Sequence, residues 1–141
     1  MRYFDASAVV KRFVREPASA DVNRWLREMP AATSRITLVE IVSAAARRTR
    51  AGDLSPRALQ RVLTALEADA RRYTLLELTE SVVTGAQDLS VSRALRANDA
   101  IQLASAVALR ARLGRPVDFV CYDAHLSAAA RGEGLRVLGA G

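Results

Sequence analysis

Four carboxylates raise the question of chemistry: Asp5, Glu40, Asp99 and Asp123. Asp5 follows the aromatic pair Tyr3-Phe4, and Asp123 follows the most apolar short run of the chain, Phe119-Val120-Cys121-Tyr122. If both runs are strands of one parallel sheet, these acids emerge at the same edge, where the sites of such sheets gather. Asp99 opens a helix, and Glu40 lies in the first turn of another with Ile41 and Val42 behind it, so both can face the same cleft. Magnesium and manganese take oxygen ligands, and Mg²⁺ keeps several waters, so two to four carboxylates at a rim suit either ion. Without a cation, clustered carboxylates repel one another and hold their protons more tightly. A bound ion would acidify a coordinated water and stabilise charge on phosphoryl oxygens, which makes phosphodiester hydrolysis the best-matched reaction. Each acid also has a purely structural reading. Asp5, Asp99 and Asp123 stand at helix starts, where a carboxylate caps free N–H groups, and Thr37-Leu38-Val39-Glu40 matches a capping box.

The elements that would position these groups alternate along the chain. A strand over residues 2–5 precedes a helix from Ser7 to Val14 that Glu16-Pro17 ends. Val22, Trp25, Leu26 and Met29 repeat at helical spacing, and Ala31-Ala32-Thr33-Ser34 is a second, weakly marked strand. One helix runs from Thr37 to about Ala51, stopped by Gly52, and another from Ser55-Pro56 to about Arg72. Tyr73–Leu78 reads as a strand, Glu80–Ser92 as a helix, and Asn98–Leu113 as a helix with Ile101, Ala104, Ser105 and Ala108 on one small-residue face. Residues 118–122 form the clearest buried strand, followed by a short helix from Asp123 to Arg131 and a last strand at Leu135–Leu138. Strands separated by helices predict an α/β sandwich with a mainly parallel sheet, because parallel neighbours need crossover connections.

No composition break divides the 141 residues, so a single domain spanning 1–141 is expected. Half of the residues are apolar, enough for one real core. No apolar run reaches membrane-spanning length and no signal-peptide pattern follows Met1, which predicts a cytoplasmic protein. The lone Cys121 excludes a disulfide framework and a cysteine-rich zinc site, and its apolar setting predicts a buried, inert thiol. The net charge is +6, and all but Lys11 of the 21 basic residues are arginine. Guanidinium groups bind phosphates bidentately, so the balance suits a polyanion, although an Ala- and Arg-rich chain also follows from genome base composition.

Four segments carry a family resemblance: Tyr3-Phe4-Asp5-Ala6-Ser7-Ala8, Glu40 within Thr37-Leu38-Val39-Glu40, Arg96 through Ala104, and Tyr122-Asp123 with Leu126. In this order they resemble the motifs of PIN-domain ribonucleases. The chain is similar in particular to the VapC toxins, over Met1 to Val137. The resemblance implies a three-layer α/β/α fold and a Mg²⁺ or Mn²⁺ site at Asp5, Glu40, Asp99 and Asp123, with Asp5 and Asp99 foremost as direct ligands. It also implies cleavage of RNA that is single-stranded at the cut, a homodimer, and a cognate antitoxin that blocks the metal site. Ser7 matches a small hydroxyl residue of the first motif, placed either to orient Asp5 or a water or to cap the first helix. Gln102 stands where this family often carries histidine, and no loss of metal binding is expected from it. Asp118 competes with Asp123 for the last motif, but its place before the apolar strand predicts the opposite sheet edge.

Other residues admit two readings. Arg96 can contact a scissile phosphate, and Arg47, Arg48 and Arg50 can meet RNA, or these cations complement helix ends. The lone His125 is expected to be solvated rather than catalytic, and Trp25 to be core rather than a partner surface. A non-catalytic RNA-binding module on the same fold is the nearest alternative function. A phosphoacceptor signalling domain needs a lysine late in the chain, and the only lysine is Lys11.

Overall fold

The computed structural model describes residues 1–139. Its elements are β1 (Arg2–Phe4), α1 (Ala6–Phe13), α2 (Ser19–Glu28), β2 (Ala31–Ser34), α3 (Ile36–Arg50), α4 (Pro56–Ala70), β3 (Thr74–Leu76), α5 (Glu80–Ser92), α6 (Ala97–Leu113), β4 (Asp118–Cys121), α7 (Ala124–Gly132) and β5 (Arg136–Gly139). All five strands are parallel, in the order β3-β2-β1-β4-β5. The chain therefore builds outward from β1 on one side, then returns to build β4 and β5 on the other. The order reverses between β1 and β4, which is where an open parallel sheet leaves a crevice at its carboxyl edge.

Side-chain alternation along the strands sorts the core into two layers, as period-two geometry requires. Tyr3, Ala32, Phe119 and Cys121 face one cluster with residues of α5, α6 and α7, and the Tyr3 and Phe119 rings stack 5.6 Å apart. Phe4, Ala31 and Val120 face the other, with Val9 of α1, Val22 of α2, Ile41 of α3 and Leu66 of α4. The result is the α/β/α sandwich. The weakly marked strand over 31–34 is present and lies inside the sheet, whereas β3 at the edge is shorter than its apolar run suggested. Trp25 packs partly buried against the second cluster. Among the described residues no helix is long and apolar enough to cross a membrane.

Asp118 opens β4 at the amino edge of the sheet, opposite the crevice, beside Arg2 of β1 and Arg136 of β5. Its carboxylate accepts from Arg136 Nε (2.8 Å) and Nη2 (2.7 Å) and from Arg2 Nε (3.4 Å), and both Asp118 and Arg2 are only 8% exposed. The hydrogen bonds from Arg136, then its charge and that of Arg2, hold the Asp118 carboxyl below its ordinary range. Its contribution to stability is therefore present above the unfolded carboxyl pKa and is lost as pH falls through the folded one. Asp118→Ala leaves the buried Arg2 guanidinium with Glu28 alone as a charged partner. The expected cost is about 2–4 kcal/mol in urea denaturation, and a loss below about 0.5 kcal/mol would contradict this account of the amino edge.

Candidate active site

The carboxyl edge of the sheet assembles the acids named above. Asp5 follows β1 directly, and its N–H still bonds to Val120 O of β4 at 3.1 Å, so the residue is fixed to both central strands. It is the N-cap of α1: its Oδ1 accepts from Ala8 N at 3.0 Å. The same oxygen accepts from Ser7 Oγ at 2.7 Å, and Ser7 Oγ in turn accepts from Tyr122 N at 2.9 Å. Ser7 thus ties Asp5 to the end of β4, and the capping is done by Asp5. On its other side, the Cys121 thiol donates to Asp5 Oδ2 at 3.4 Å.

Asp123 leaves the end of β4 and caps α7, with Oδ1 accepting from Leu126 N at 2.7 Å. Asp99 lies in the first turn of α6, whose N-cap position is Arg96 without a side-chain cap. The turn that delivers it passes through Ala94 in the left-handed region (φ 52°) and is tied to α7. Arg93 donates to Glu133 Oε1 (2.8 Å) and Gly132 O (3.0 Å), and His125 Nε2 meets Arg93 O at 3.0 Å. His125 is therefore exposed but engaged, holding the α5–α6 turn against α7. Arg96 is exposed beside Asp99.

The capping box expected at Thr37–Glu40 does not form. Helix α3 begins at Ile36, with Arg35 at the N-cap and no side-chain cap. Thr37 is fully buried, and its Oγ1 pairs with Thr33 Oγ1 (2.7 Å) and accepts from Gln102 Nε2 (2.8 Å). Glu40 Oε2 also accepts from Gln102 Nε2, at 2.7 Å. Glu40 is thus drawn across the crevice toward α6, because a buried amide on α6 competes successfully with the helix N-terminus for both side chains.

Electrostatics shows which acids share the crevice. Asp99 binds its proton more tightly than usual because of burial and the nearby Asp123 charge, opposed by Arg96 and His125. Glu40 is raised by burial and by Asp99, opposed by the Gln102 and Asn98 amides. Asp5 is pushed up to about 6, chiefly by burial, against the hydrogen bonds from Ser7, Ala8 N–H and Cys121. The buried Tyr3 hydroxyl feels both Asp5 and Glu40. Asp99 is therefore coupled to both Glu40 and Asp123, whereas the shift of Asp5, buried at the end of β1, comes from burial and not from the other three acids. Among the described residues, no three Asp, Glu, His or Cys side chains close on one point as they stand. Asp123 is turned to its cap and Glu40 to Gln102.

The donor chemistry nevertheless fits a hard divalent ion. Every candidate ligand is a carboxylate oxygen, and Mg²⁺ bound through one or two carboxylates completes its octahedron with water. In the metal-free protein burial and the Asp5 charge push the Cys121 thiol up to about 12, which leaves it a hydrogen-bond donor to Asp5. Sequence reasoning missed Thr33, Thr37, Gln102 and Cys121 as the groups that hold the acids. The one signal available was an amide at position i+3 from Asp99 in α6.

A PIN-domain family model matches residues 2–132. No curated protein matches the chain by sequence. Solved structures share the fold, three of them as follows. A toxin-antitoxin complex from Klebsiella pneumoniae has 19% identity and TM-score 0.68, covering 99% of this chain and 97% of that chain. VapBC2 from Rickettsia felis, bound to a promoter DNA fragment, has 16% identity and TM-score 0.67, covering 98% of each chain. VapC20 of Mycobacterium tuberculosis, a sarcin-ricin loop cleaving toxin, has 18% identity and TM-score 0.67, covering 92% of this chain and 95% of that chain. With the parallel sheet, the acids at its switch point and a family match over nearly its whole length, the chain belongs to the PIN-domain family.

Proposed function

We propose that the protein is a VapC-type toxin, an endoribonuclease that uses Mg²⁺ or Mn²⁺ and is restrained by a cognate antitoxin. What supports this reading is that Asp5, Glu40, Asp99 and Asp123 come from four segments to the carboxyl edge of the sheet, Asp99 feeling the charges of Glu40 and Asp123 and Asp5 raised by burial beside them. Capping accounts for Asp5 and Asp123 alone and gives Glu40 and Asp99 no reason to lie at the same edge, and carboxylates held there at a cost await a cation. Asp5 and Asp99 are the direct ligands, with Glu40 and Asp123 reaching the ion directly or through its waters. When bound, the ion supplies an acidified water and charge stabilisation at the scissile phosphate.

The remaining work belongs to the chain's own residues. Ser7 and Ala8 N–H engage Asp5 Oδ1 and the Cys121 thiol engages Oδ2, so the carboxylate is fixed and Oδ2 keeps the greater accepting capacity. Arg96, exposed beside Asp99, is placed to meet a phosphate of the substrate, RNA that is single-stranded at the cut. An antitoxin partner is supported by the toxin-antitoxin complexes among the structural neighbours. The exposed Val39, Val42, Leu78 and Val83 offer apolar surface for assembly, with a homodimer the simplest arrangement.

The test is cleavage of a mixed single-stranded and structured RNA pool by the purified protein. Cutting in Mn²⁺ that stops in EDTA is the expected result. RNA binding of equal strength in both conditions, with no cutting, would identify a binding module instead. Ser7→Ala is expected to lower the cleavage rate by about 10-fold with the fold intact, the scale of losing a group that orients a metal ligand. An unchanged rate would remove Ser7 from the mechanism.

A further inference from the structure

Gln102 is 1% exposed in the middle of α6, a position where an unpaired amide would be costly. Each of its polar atoms is matched. Tyr3 Oη donates to Gln102 Oε1 at 2.6 Å, and Gln102 Nε2 donates to Thr37 Oγ1 at 2.8 Å and to Glu40 Oε2 at 2.7 Å. The proton directions follow from the inventory of donors. An ionised Glu40 only accepts, so the amide nitrogen faces it and the amide oxygen faces Tyr3. Thr33 donates its only hydroxyl proton to Phe4 O at 2.6 Å, so Thr37, which accepts one of the amide protons, is the donor to Thr33. The relay therefore ends on the backbone of β1, at the residue before Asp5. It links β1, β2, α3 and α6 through four buried side chains, and Glu40 is its one partly exposed terminus.

Taking the proposed function as its basis, we propose that Gln102 is a positioning residue. It fixes the Glu40 carboxylate relative to Asp5 and Asp99 and thereby sets the divalent-ion affinity of the centre, without touching ion or substrate. It occupies only Oε2 of Glu40, so a carboxylate oxygen remains for the crevice. Tyr3 is the anchor of the amide: its hydroxyl is the donor that holds Oε1, and without it Gln102 is less restrained toward Glu40. Of the three bonds that Gln102 makes, a neutral imidazole can supply the donor toward Glu40 and the acceptor toward Tyr3, giving up only the donation to Thr37.

The test compares the full-length wild type with Gln102→Leu, Tyr3→Phe and Gln102→His, by Mn²⁺ titration calorimetry and by thermal melting in EDTA. Gln102→Leu and Tyr3→Phe are expected to weaken Mn²⁺ binding by about 10- to 100-fold, as removal of outer partners of a metal ligand does. Gln102→His is expected to restore the affinity to within about threefold, and Gln102→Leu placed in a Glu40→Gln background to have no further effect. Where Gln102→Leu does not fold, Tyr3→Phe, which removes a single oxygen, carries the comparison. Wild-type affinity in a folded variant, or an equal loss in the Glu40→Gln background, overturns the assignment. Failure of the wild type to bind Mn²⁺ instead overturns the proposed function itself.

Discussion

Asp99→Asn is expected to reduce RNA cleavage by more than about 100-fold while leaving the folded structure and its RNA affinity close to wild type. Partners one shell removed from a metal typically change activity 10- to 100-fold, so a direct ligand should exceed that range. Asparagine keeps the size of the side chain, and Asp99 accepts no hydrogen bond from a helix N–H that the substitution would break, since the N-cap of α6 is Arg96. The acid is also the member coupled to both Glu40 and Asp123, so neutralising it removes repulsion from two neighbours at once. The check is single-turnover cleavage in saturating Mn²⁺ at matched folded concentration. A loss below about tenfold would remove Asp99 from the direct ligands.

The second large effect has the opposite sign on stability. Asp5→Asn is expected to abolish cleavage and, in EDTA at pH 7.5, to make the protein about 1–3 kcal/mol more stable, or roughly 3–10 °C in Tm. Burial pushes the Asp5 pKa from 3.8 to about 6. The folded-state value lies above the unfolded one, so the stability tied to this group is fully present below pH 3.8 and is lost as pH rises through about 6. At neutral pH the ionised, fully buried carboxylate is therefore a net liability of about 3 kcal/mol to the metal-free fold. Asparagine retains an oxygen for Ala8 N–H and Ser7 and carries no charge, so the liability disappears. Denaturation curves in EDTA should show wild-type stability falling between pH 4 and pH 6, about 2 kcal/mol more than in Asp5→Asn. The shallower residual slope belongs to Glu40 and Asp99, which are raised as well. Equal stability of the two proteins at every pH would mean that Asp5 is no more than a helix cap.

These opposed effects explain how one set of residues satisfies both readings that the sequence left open. Asp5 and Asp123 do cap helices. Capping fixes both residues at the carboxyl ends of β1 and β4, and both strands lie within the segment that the family model matches. For Glu40 the two readings separate: its capping box does not form, and the residue turns instead to Gln102.

The strands and helices were legible because their signals are local. The short apolar runs Tyr3-Phe4 and Phe119-Val120-Cys121, Ser55-Pro56 at the start of α4 and Gly114 at the end of α6 need no knowledge of the rest of the chain. Asp118 was assigned correctly to the far edge on the same basis, since strand polarity alone separates it from Asp123. The support of the acids was not legible, because it is built from contacts across large sequence distances. Tyr3 meets Gln102, Gln102 meets Thr37 and Glu40, and Cys121 meets Asp5 only after the sheet has closed. Read in isolation, Gln102 was a departure from a family pattern and Thr37 a helix cap. A buried amide reveals its role only when the directions of its hydrogen bonds are known.

The measurement that tests the central claim most directly is anomalous diffraction from crystals of the protein grown at neutral pH and soaked in Mn²⁺. The account predicts a single dominant anomalous peak in the crevice beyond β1 and β4, in contact with the Asp5 and Asp99 carboxylates and surrounded by waters that reach Glu40 or Asp123. That peak should vanish in Asp99→Asn crystals soaked in the same way. No peak in the crevice, or a peak held by residues elsewhere with these carboxylates still on their caps, would contradict the assignment of the four acids to one metal-dependent centre.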